Sequence, residues 1–382
     1  MSRNALYHAF SLVRILLYPL ALLYGAVVWL RNRLYDGGFF SAVSFSTPVI
    51  VVGNLSVGGT GKTPHVEYLI RLLKDRYRVA TMSRGYKRHT SGFQLADADT
   101  NALRIGDEPM QYHLAFPQIA VSVAEERMTG IPALLQKCPE VEVVLLDDAF
   151  QHRSVKPGRA VLITDFAKPF YEDFILPYGT LRESRKAYER AHIIIVSKCP
   201  PDLSAAAAEV MRQKIAPKAH QTVLFSTIEY GVAYDLFSGN PVDLKGKSTL
   251  VVAGIAKPAP LEAYVASLAE ATHLLSYPDH HYFVSRDLDE IESTLRNWQV
   301  PEKIIVTTQK DAARLLLHRQ RLERDGWRVA VLPIQVRFLF DNGAVFDEAI
   351  LSYVDAEVAE NRAFFGYPEP PETPENLPEY YP

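Results

Sequence analysis

The segment that most limits what this chain can fold into is VVGNLSVGGTGKTP, residues 51–64. The apolar run PVIVVG (48–53) predicts a buried strand, and the pattern after the glycines predicts a helix from about Lys62 to Lys74. Between them Ser56, Gly58, Gly59, Thr60 and Gly61 form a turn whose backbone N–H groups can point inward around an anion. In such a phosphate loop Lys62 reaches the β- and γ-phosphates of a nucleotide, and the Thr63 hydroxyl holds Mg²⁺. The full pattern asks for Gly where this chain has Ser56, but Gly58 and Gly59 still supply backbone freedom. A plain strand–helix turn would explain the glycines and leave Lys62-Thr63 without a reason. A dinucleotide fingerprint fails, because Pro64 stands where its last glycine belongs. Val57 occupies the position at which dimeric partitioning ATPases carry a trans-acting lysine, so the loop is expected to serve its own subunit.

The rest of the body alternates short apolar runs with helical stretches. RVATM (78–82), QIAVSV (118–123), VEVVLLD (141–147), RAVLITD (159–165) and HIIIVS (192–197) read as strands, with helices over 124–137 and 203–214. Near-continuous Val/Ile/Leu strands between helices predict a parallel sheet covered on both faces. A second series follows Gly246. It comprises TLVVAGI (249–255), KIIVTT (303–308) and a strand near 328–334, with helices near 259–270, 286–297 and 310–323. The expected fold class is therefore α/β, with two α/β/α domains and parallel-rich sheets. The expected divisions are 1–35, an N-terminal helix; 36–228, a nucleotide-binding domain; 229–247, a linker; 248–360, a second α/β domain; and 366–382, a disordered tail. No internal repeat is visible.

Charge is uneven along the chain. The whole carries 41 basic and 44 acidic residues, net −3, which excludes a globally basic nucleic-acid binder. Residues 1–35 hold four arginines and no acid, whereas residues 366–382 hold six prolines, four glutamates and no base. From Ile15 to Leu30 the sequence has sixteen residues without a charge, short of the ~20 needed to span a bilayer. Tyr18, Tyr24, Trp29 and Tyr35 suit the headgroup region, so membrane attachment is expected, with spanning and interfacial insertion both open. Two cysteines, Cys138 and Cys199, make neither a disulfide scaffold nor a cysteine-rich zinc site.

Several polar groups stand at places where chemistry is done. Asp147 and Asp148 end an apolar strand, the position at which α/β folds place a Mg²⁺ partner. Asp107, before a proline-started helix, reads by itself as an N-cap. Ser83-Arg84-Gly85-Tyr86-Lys87-Arg88 offers cations to an anionic group, and Asp279-His280-His281 suits an oriented acid/base pair without the third ligand of a zinc site.

Taken in order, VGNLSVGGTGKTP, SRGYKR, GDEPMQ, LLDDAFQHR, LPYGTLRES (176–184), AGIAKP (253–258), DHHYF (279–283) and TTQKDA (307–312) resemble the tetraacyldisaccharide 4'-kinase family of lipid A biosynthesis. The resemblance implies transfer of the ATP γ-phosphoryl group to the 4'-hydroxyl of a tetraacyldisaccharide 1-phosphate, a lipid that stays in the membrane. It implies two α/β/α domains, an N-terminal membrane-associated helix, and a place at the inner (cytoplasmic) membrane with the catalytic domains on the cytoplasmic side. Asp107 then becomes the catalytic base, assisted by His280, with Lys62 acting on the phosphates. Gly58 to Thr63 hold ATP, and Thr63, Asp147 and Asp148 bear on Mg²⁺. Arg84 and Arg182 are candidate grips on substrate. Ala149, Lys257 and Gln309 depart from residues common in the family. The alternative is a membrane-associated nucleotide switch, which the phosphate loop and front end suit equally but which DHH and GDEP do not require.

Overall fold

The computed structural model describes residues 3–365, with side chains from 17 to 364. Its contacts divide the chain into two compact units. Among the described residues one holds 3–83, 126–228 and 336–365, and the other holds 84–125 and 229–335.

In the first unit the strand Val49–Gly53 lies between Val143–Asp147 and Arg159–Asp165, all parallel. Val79–Ser83 pairs beyond Val143–Asp147, while Ile193–Ser197 and Thr222–Tyr230 extend the other side, again parallel. Val49–Gly53, Val143–Asp147 and Ile193–Ser197 are buried at every position, as expected of strands with helices on both faces. The chain leaves Val49–Gly53 through helix Lys62–Leu73 toward one edge and later crosses it to reach the other. That reversal of strand order opens a crevice at the carboxyl end of Val49–Gly53, where open α/β sheets bind ligands.

The second unit has a sheet of four parallel strands in the order Ala271–Ser276, Ser248–Ala253, Lys303–Thr308, Val329–Leu332, with short Tyr234–Asp235 antiparallel at the edge. Strand alternation splits its core into two. Leu250, Val252, Ile305 and Val331 pack with Leu288 and Ile291 on one face. On the other, Val251, Ala253, Val306 and Leu332 pack with Leu261 and Val265. Helix Asp107–Ala115 packs against helix Gln309–Leu315.

Three boundaries differ from the sequence-based divisions. Residues 84–125 belong with the second unit, although they lie between strands of the first. The expected linker, 229–247, is folded there: Ala233, Leu236 and Leu244 are buried in its cores. Helix Asn342–Phe365, expected in the second domain, belongs to the first, where Tyr68 donates to Asp347 and Arg362 donates to Glu142. The strand Ala271–Ser276 was not anticipated, because His273 and the flanking threonine and serine dilute its apolar pattern. The expected disordered tail lies outside the described residues.

The N-terminal element is one helix, Arg3–Asp36, with Pro19 inside it. No helix among the described residues is long and apolar enough to cross a membrane. Its later turns are fastened to the first unit. The Tyr24 hydroxyl donates to the Arg182 carbonyl (3.0 Å), Arg31 to the Gln151 carbonyl (2.6 Å), and Asn32 to Glu183 (2.8 Å).

Candidate active site

In the first unit the phosphate loop is fixed by its neighbours. Ser56 is buried and bridges Leu181, while the Val57 amide donates to the Thr180 carbonyl and the Arg182 amide to the Leu55 carbonyl. Asn54 ties across the loop, donating to Thr60 Oγ1 at 2.8 Å. Gly61 has φ 93°, and a Cβ there would stand 2.8 Å from Ser197 Oγ, so only glycine can cap the helix that begins at Lys62. Behind it His65 is buried. Its Nδ1 donates to the Gly61 carbonyl (2.7 Å), which leaves Nε2 to accept from Ser226 (3.0 Å). Burial pushes the His65 imidazole down to about 4, so it stays neutral at pH 7.

Strand Val143–Asp147 delivers the acids. Asp147 is buried at its end, and Asp148, in left-handed backbone (φ 48°), turns to the cations. Lys62 Nζ lies 3.5 Å from Asp148 Oδ1, and Arg182 Nη1 3.1 Å from the same oxygen. Burial raises the Asp148 carboxyl, and the charges of Lys62 and Arg182 outweigh it, holding the group ionised below the usual carboxylate range. Arg182 also donates to Gln151 Oε1, whose amide donates to the Asn54 carbonyl, closing a ring of contacts around the loop. Lys198, left-handed (φ 59°) at the end of Ile193–Ser197, donates to the Gly59 carbonyl and pairs with Asp165. Thr63 stands in the first turn of the helix. The hydroxyl of Thr63 with the carboxylates of Asp147 and Asp148 is an all-oxygen donor set that fits Mg²⁺, which completes its shell with water and substrate phosphates. No cluster of three or more metal-ligating side chains occurs among the described residues.

The second unit holds a separate acidic centre. Asp107 is the first residue of its helix, with Gly106 at the cap position. It is therefore not the N-cap that its sequence context suggested. Its Oδ1 accepts the Glu108 amide (3.0 Å), while Oδ2 accepts from His280 Nδ1 (2.8 Å) and Arg314 Nη1 (3.1 Å). Arg314 is fully buried and also donates to the Gly254 carbonyl (2.9 Å) and to Asp311. A Cβ on Gly254 would meet Asp311 Oδ1 at 2.9 Å, so the AGIAKP turn needs its glycine for this close approach. His280 adopts left-handed backbone (φ 58°), a strained conformation concentrated at functional sites. Burial raises the Asp107 carboxyl; the His280 hydrogen bond and the Lys310 and Arg314 charges outweigh it and hold it below the usual range.

The sequence-chosen residues fall into two groups. Ser56, Gly58, Gly59, Thr60, Gly61, Lys62, Thr63, Asp147, Asp148 and Arg182 belong to the first unit, and Arg84, Asp107 and His280 to the second. Arg84 is exposed, whereas Arg88 of the same motif is tied to Glu125. Sequence reasoning missed Asn54, Gln151, Lys198, Lys310 and Arg314. Asn54, Gln151 and Lys310 lie inside quoted motifs, but nothing local in the sequence marks Arg314.

A glycine-rich loop between a central parallel strand and a helix, with paired acids on the adjacent strand, defines a phosphate-loop α/β protein. The model of one family, tetraacyldisaccharide-1-P 4'-kinase, matches residues 13–355, and the chain belongs to that family. A tetraacyldisaccharide 4'-kinase of Bacteroides thetaiotaomicron is 44% identical over 351 residues, covering 88% of this chain and 92% of its relative. One of Flavobacterium johnsoniae is 42% identical over 351 residues, covering 90% and 98%. The crystal structure of LpxK from Aquifex aeolicus in complex with ATP aligns with TM-score 0.69 and 28% identity, over 91% of this chain and 99% of that one.

Proposed function

We propose that this chain transfers the γ-phosphoryl group of ATP to the 4'-hydroxyl of a tetraacyldisaccharide 1-phosphate, with Mg²⁺ as cofactor. The observation that carries the reading is the Asp107 carboxylate. It is buried and ionised, and its Oδ2 is committed to two donors while Oδ1 takes only a backbone amide among the described residues. Oδ1 therefore keeps a lone pair for a hydroxyl proton. The substrate O–H bond breaks toward Oδ1 as the oxygen forms its bond to the γ-phosphorus and ADP leaves with the electron pair of the broken P–O bond. Phosphoryl transfer asks little covalent work of a protein, so positioning and charge neutralisation dominate. Lys62 and the loop amides of Gly58–Thr63 neutralise and orient the phosphates. When bound, Mg²⁺ adds charge neutralisation at the phosphate oxygens, held by Thr63 and the Asp147–Asp148 pair. Arg182, released from Asp148, and exposed Arg84 are the grips proposed for anionic groups.

The N-terminal helix supports a lipid acceptor. Leu20, Leu23, Val27 and Leu30 recur at helical spacing and are 55%, 63%, 61% and 54% exposed. Tyr18 and Trp29 flank them, with the Arg33 guanidinium 5.6 Å from the Trp29 ring. So much apolar surface on one helix face calls for a partner, and a bilayer surface suits its aromatic and arginine borders. Fastening along 24–32 favours a helix lying in the interface of the inner membrane, with both units on the cytoplasmic side. The same helix holds the Arg182 and Gln151 carbonyls, so it ends beside the phosphate loop's own contacts.

The test is a phosphate-transfer assay of the full chain in mixed micelles, with ATP and the disaccharide 1-phosphate lipid. Transfer to lipid well above lipid-free ATP hydrolysis is expected. Equal ATP hydrolysis with and without lipid would instead support the nucleotide switch.

A further inference from the structure

Lys310 touches the acidic centre from helix Gln309–Leu315. Its Nζ lies 3.1 Å from His280 Nε2, 3.2 Å from Glu108 Oε1 and 4.0 Å from Asp107 Oδ2. Nζ donates to Glu108 Oε1, and a lysine ammonium has no lone pair with which to accept. Nε2 of His280 must therefore accept, and an imidazole that accepts at one nitrogen carries its single proton on the other. That proton is on Nδ1, which donates to Asp107 Oδ2 at 2.8 Å. A doubly protonated ring is incompatible with the Lys310 contact. The neighbouring ring makes the opposite choice. His281 Nε2 lies 2.7 Å from Asp287 Oδ2, so in His281 the proton sits on Nε2. Two adjacent histidines thus hold opposite tautomers, each set by its own partner.

We propose that Lys310 is a positioning residue for phosphoryl transfer: braced by Glu108, it fixes His280 as the neutral Nδ1–H tautomer and so keeps Asp107 Oδ2 occupied and Oδ1 available. This rests on the reading of Asp107 as the proton acceptor. With the other tautomer, the Nδ1 lone pair would face the Asp107 carboxylate, and the acid would lose a donor and its orientation. The charged and titratable groups touching His280 are Asp107 from one helix and Lys310 from another, with Asp279 at 3.9 Å beside it and the Tyr86 ring at 5.0 Å; Glu108 pairs with Lys310, and Arg314 with Asp107. Lys310 is the group whose removal leaves Nε2 open to a second proton.

The experiment reads the tautomer directly, from ¹⁵N-histidine spectra of the full chain in micelles, with His280 assigned through His280→Gln. Wild type should show His280 with Nδ1 protonated and Nε2 bare, and His281 with the reverse. In Lys310→Met the His280 signals should shift toward Nε2–H or toward a doubly protonated ring, while His281 stays unchanged and reports an intact fold. Turnover should fall about tenfold with KM for ATP within about twofold, and a new acid limb should appear in the pH profile. Lys310→Arg should restore the Nδ1–H pattern and most of the rate. An unchanged His280 tautomer and pH profile in Lys310→Met would overturn the proposal, as would a rate loss without any spectral change. If Asp107→Asn kept its turnover, the proton-acceptor reading would fall instead, while the spectra would still decide what Lys310 does to His280.

Discussion

Asp148 in the first unit and Asp107 in the second are both ionised carboxylates held by two basic side chains, yet they are built differently. Asp148 is partly exposed, and its partners Lys62 and Arg182 are cations that a nucleotide's phosphates also need. Its ion pairs can be exchanged for others. Asp107 is buried and clamped by Arg314, which is itself fully buried and braced by Asp311 and the Gly254 carbonyl. That cage has no solvent-exposed alternative, because breaking one partner strands a charge in a low dielectric. The difference suits the two tasks proposed for them. A phosphate site has to trade partners as nucleotide comes and goes, while a proton acceptor has to keep one geometry.

The widest break in the comparison comes from Lys62→Ala. It should lower turnover by about 10³-fold, because a charge aimed at the transferring phosphoryl group is lost. It should leave the melting temperature nearly unchanged, since the Asp148 pair is exchangeable. Steady-state kinetics alongside a thermal melt checks both. Arg314→Met should do the reverse first, costing about 3–5 kcal/mol of stability by leaving Asp107 and Asp311 without their shared cation. Urea unfolding reads this, and a loss below about 1 kcal/mol would show that the cage is not permanent.

A smaller effect comes from pH. His65 titrates near 4 in the folded chain against about 6.5 unfolded, so the unfolded chain binds the proton more readily. Its contribution is complete above about pH 6.5 and is lost as pH falls toward 4, roughly 3 kcal/mol over the window. Substituting His65→Gln should flatten that part of the stability–pH curve in urea titrations. The smallest expected change is Asn54→Ala. It removes the 2.8 Å bond to Thr60 and should cost about 1 kcal/mol, read as a modest rise in KM for ATP.

How much of this was readable beforehand follows from locality. The phosphate loop was legible because strand, glycines, Lys62 and Thr63 are contiguous and each has a local reason. So were the parallel strands, whose unbroken apolar runs reflect burial on both faces. From its own neighbours Asp107 reads only as a helix-start acid, and its pairing with His280, 173 residues away, was legible only through the family resemblance. Arg314 gave no signal at all: in AARLLLH it looks like an ordinary helical arginine, and only the fold buries it against two carboxylates. The division into units was misjudged for a related reason. Residues 84–125 lie between strands of one sheet in sequence, yet their helix Asp107–Ala115 packs on helix Gln309–Leu315, far along the chain.

The central claim is that phosphate holding and proton acceptance reside in separate centres, and paired measurements on Asp107→Asn test it most directly. ATP affinity from calorimetry should stay within about twofold of wild type, while phosphoryl transfer to the disaccharide 1-phosphate lipid should fall at least about 100-fold. Turnover within about threefold of wild type would contradict it, and so would ATP binding lost together with transfer.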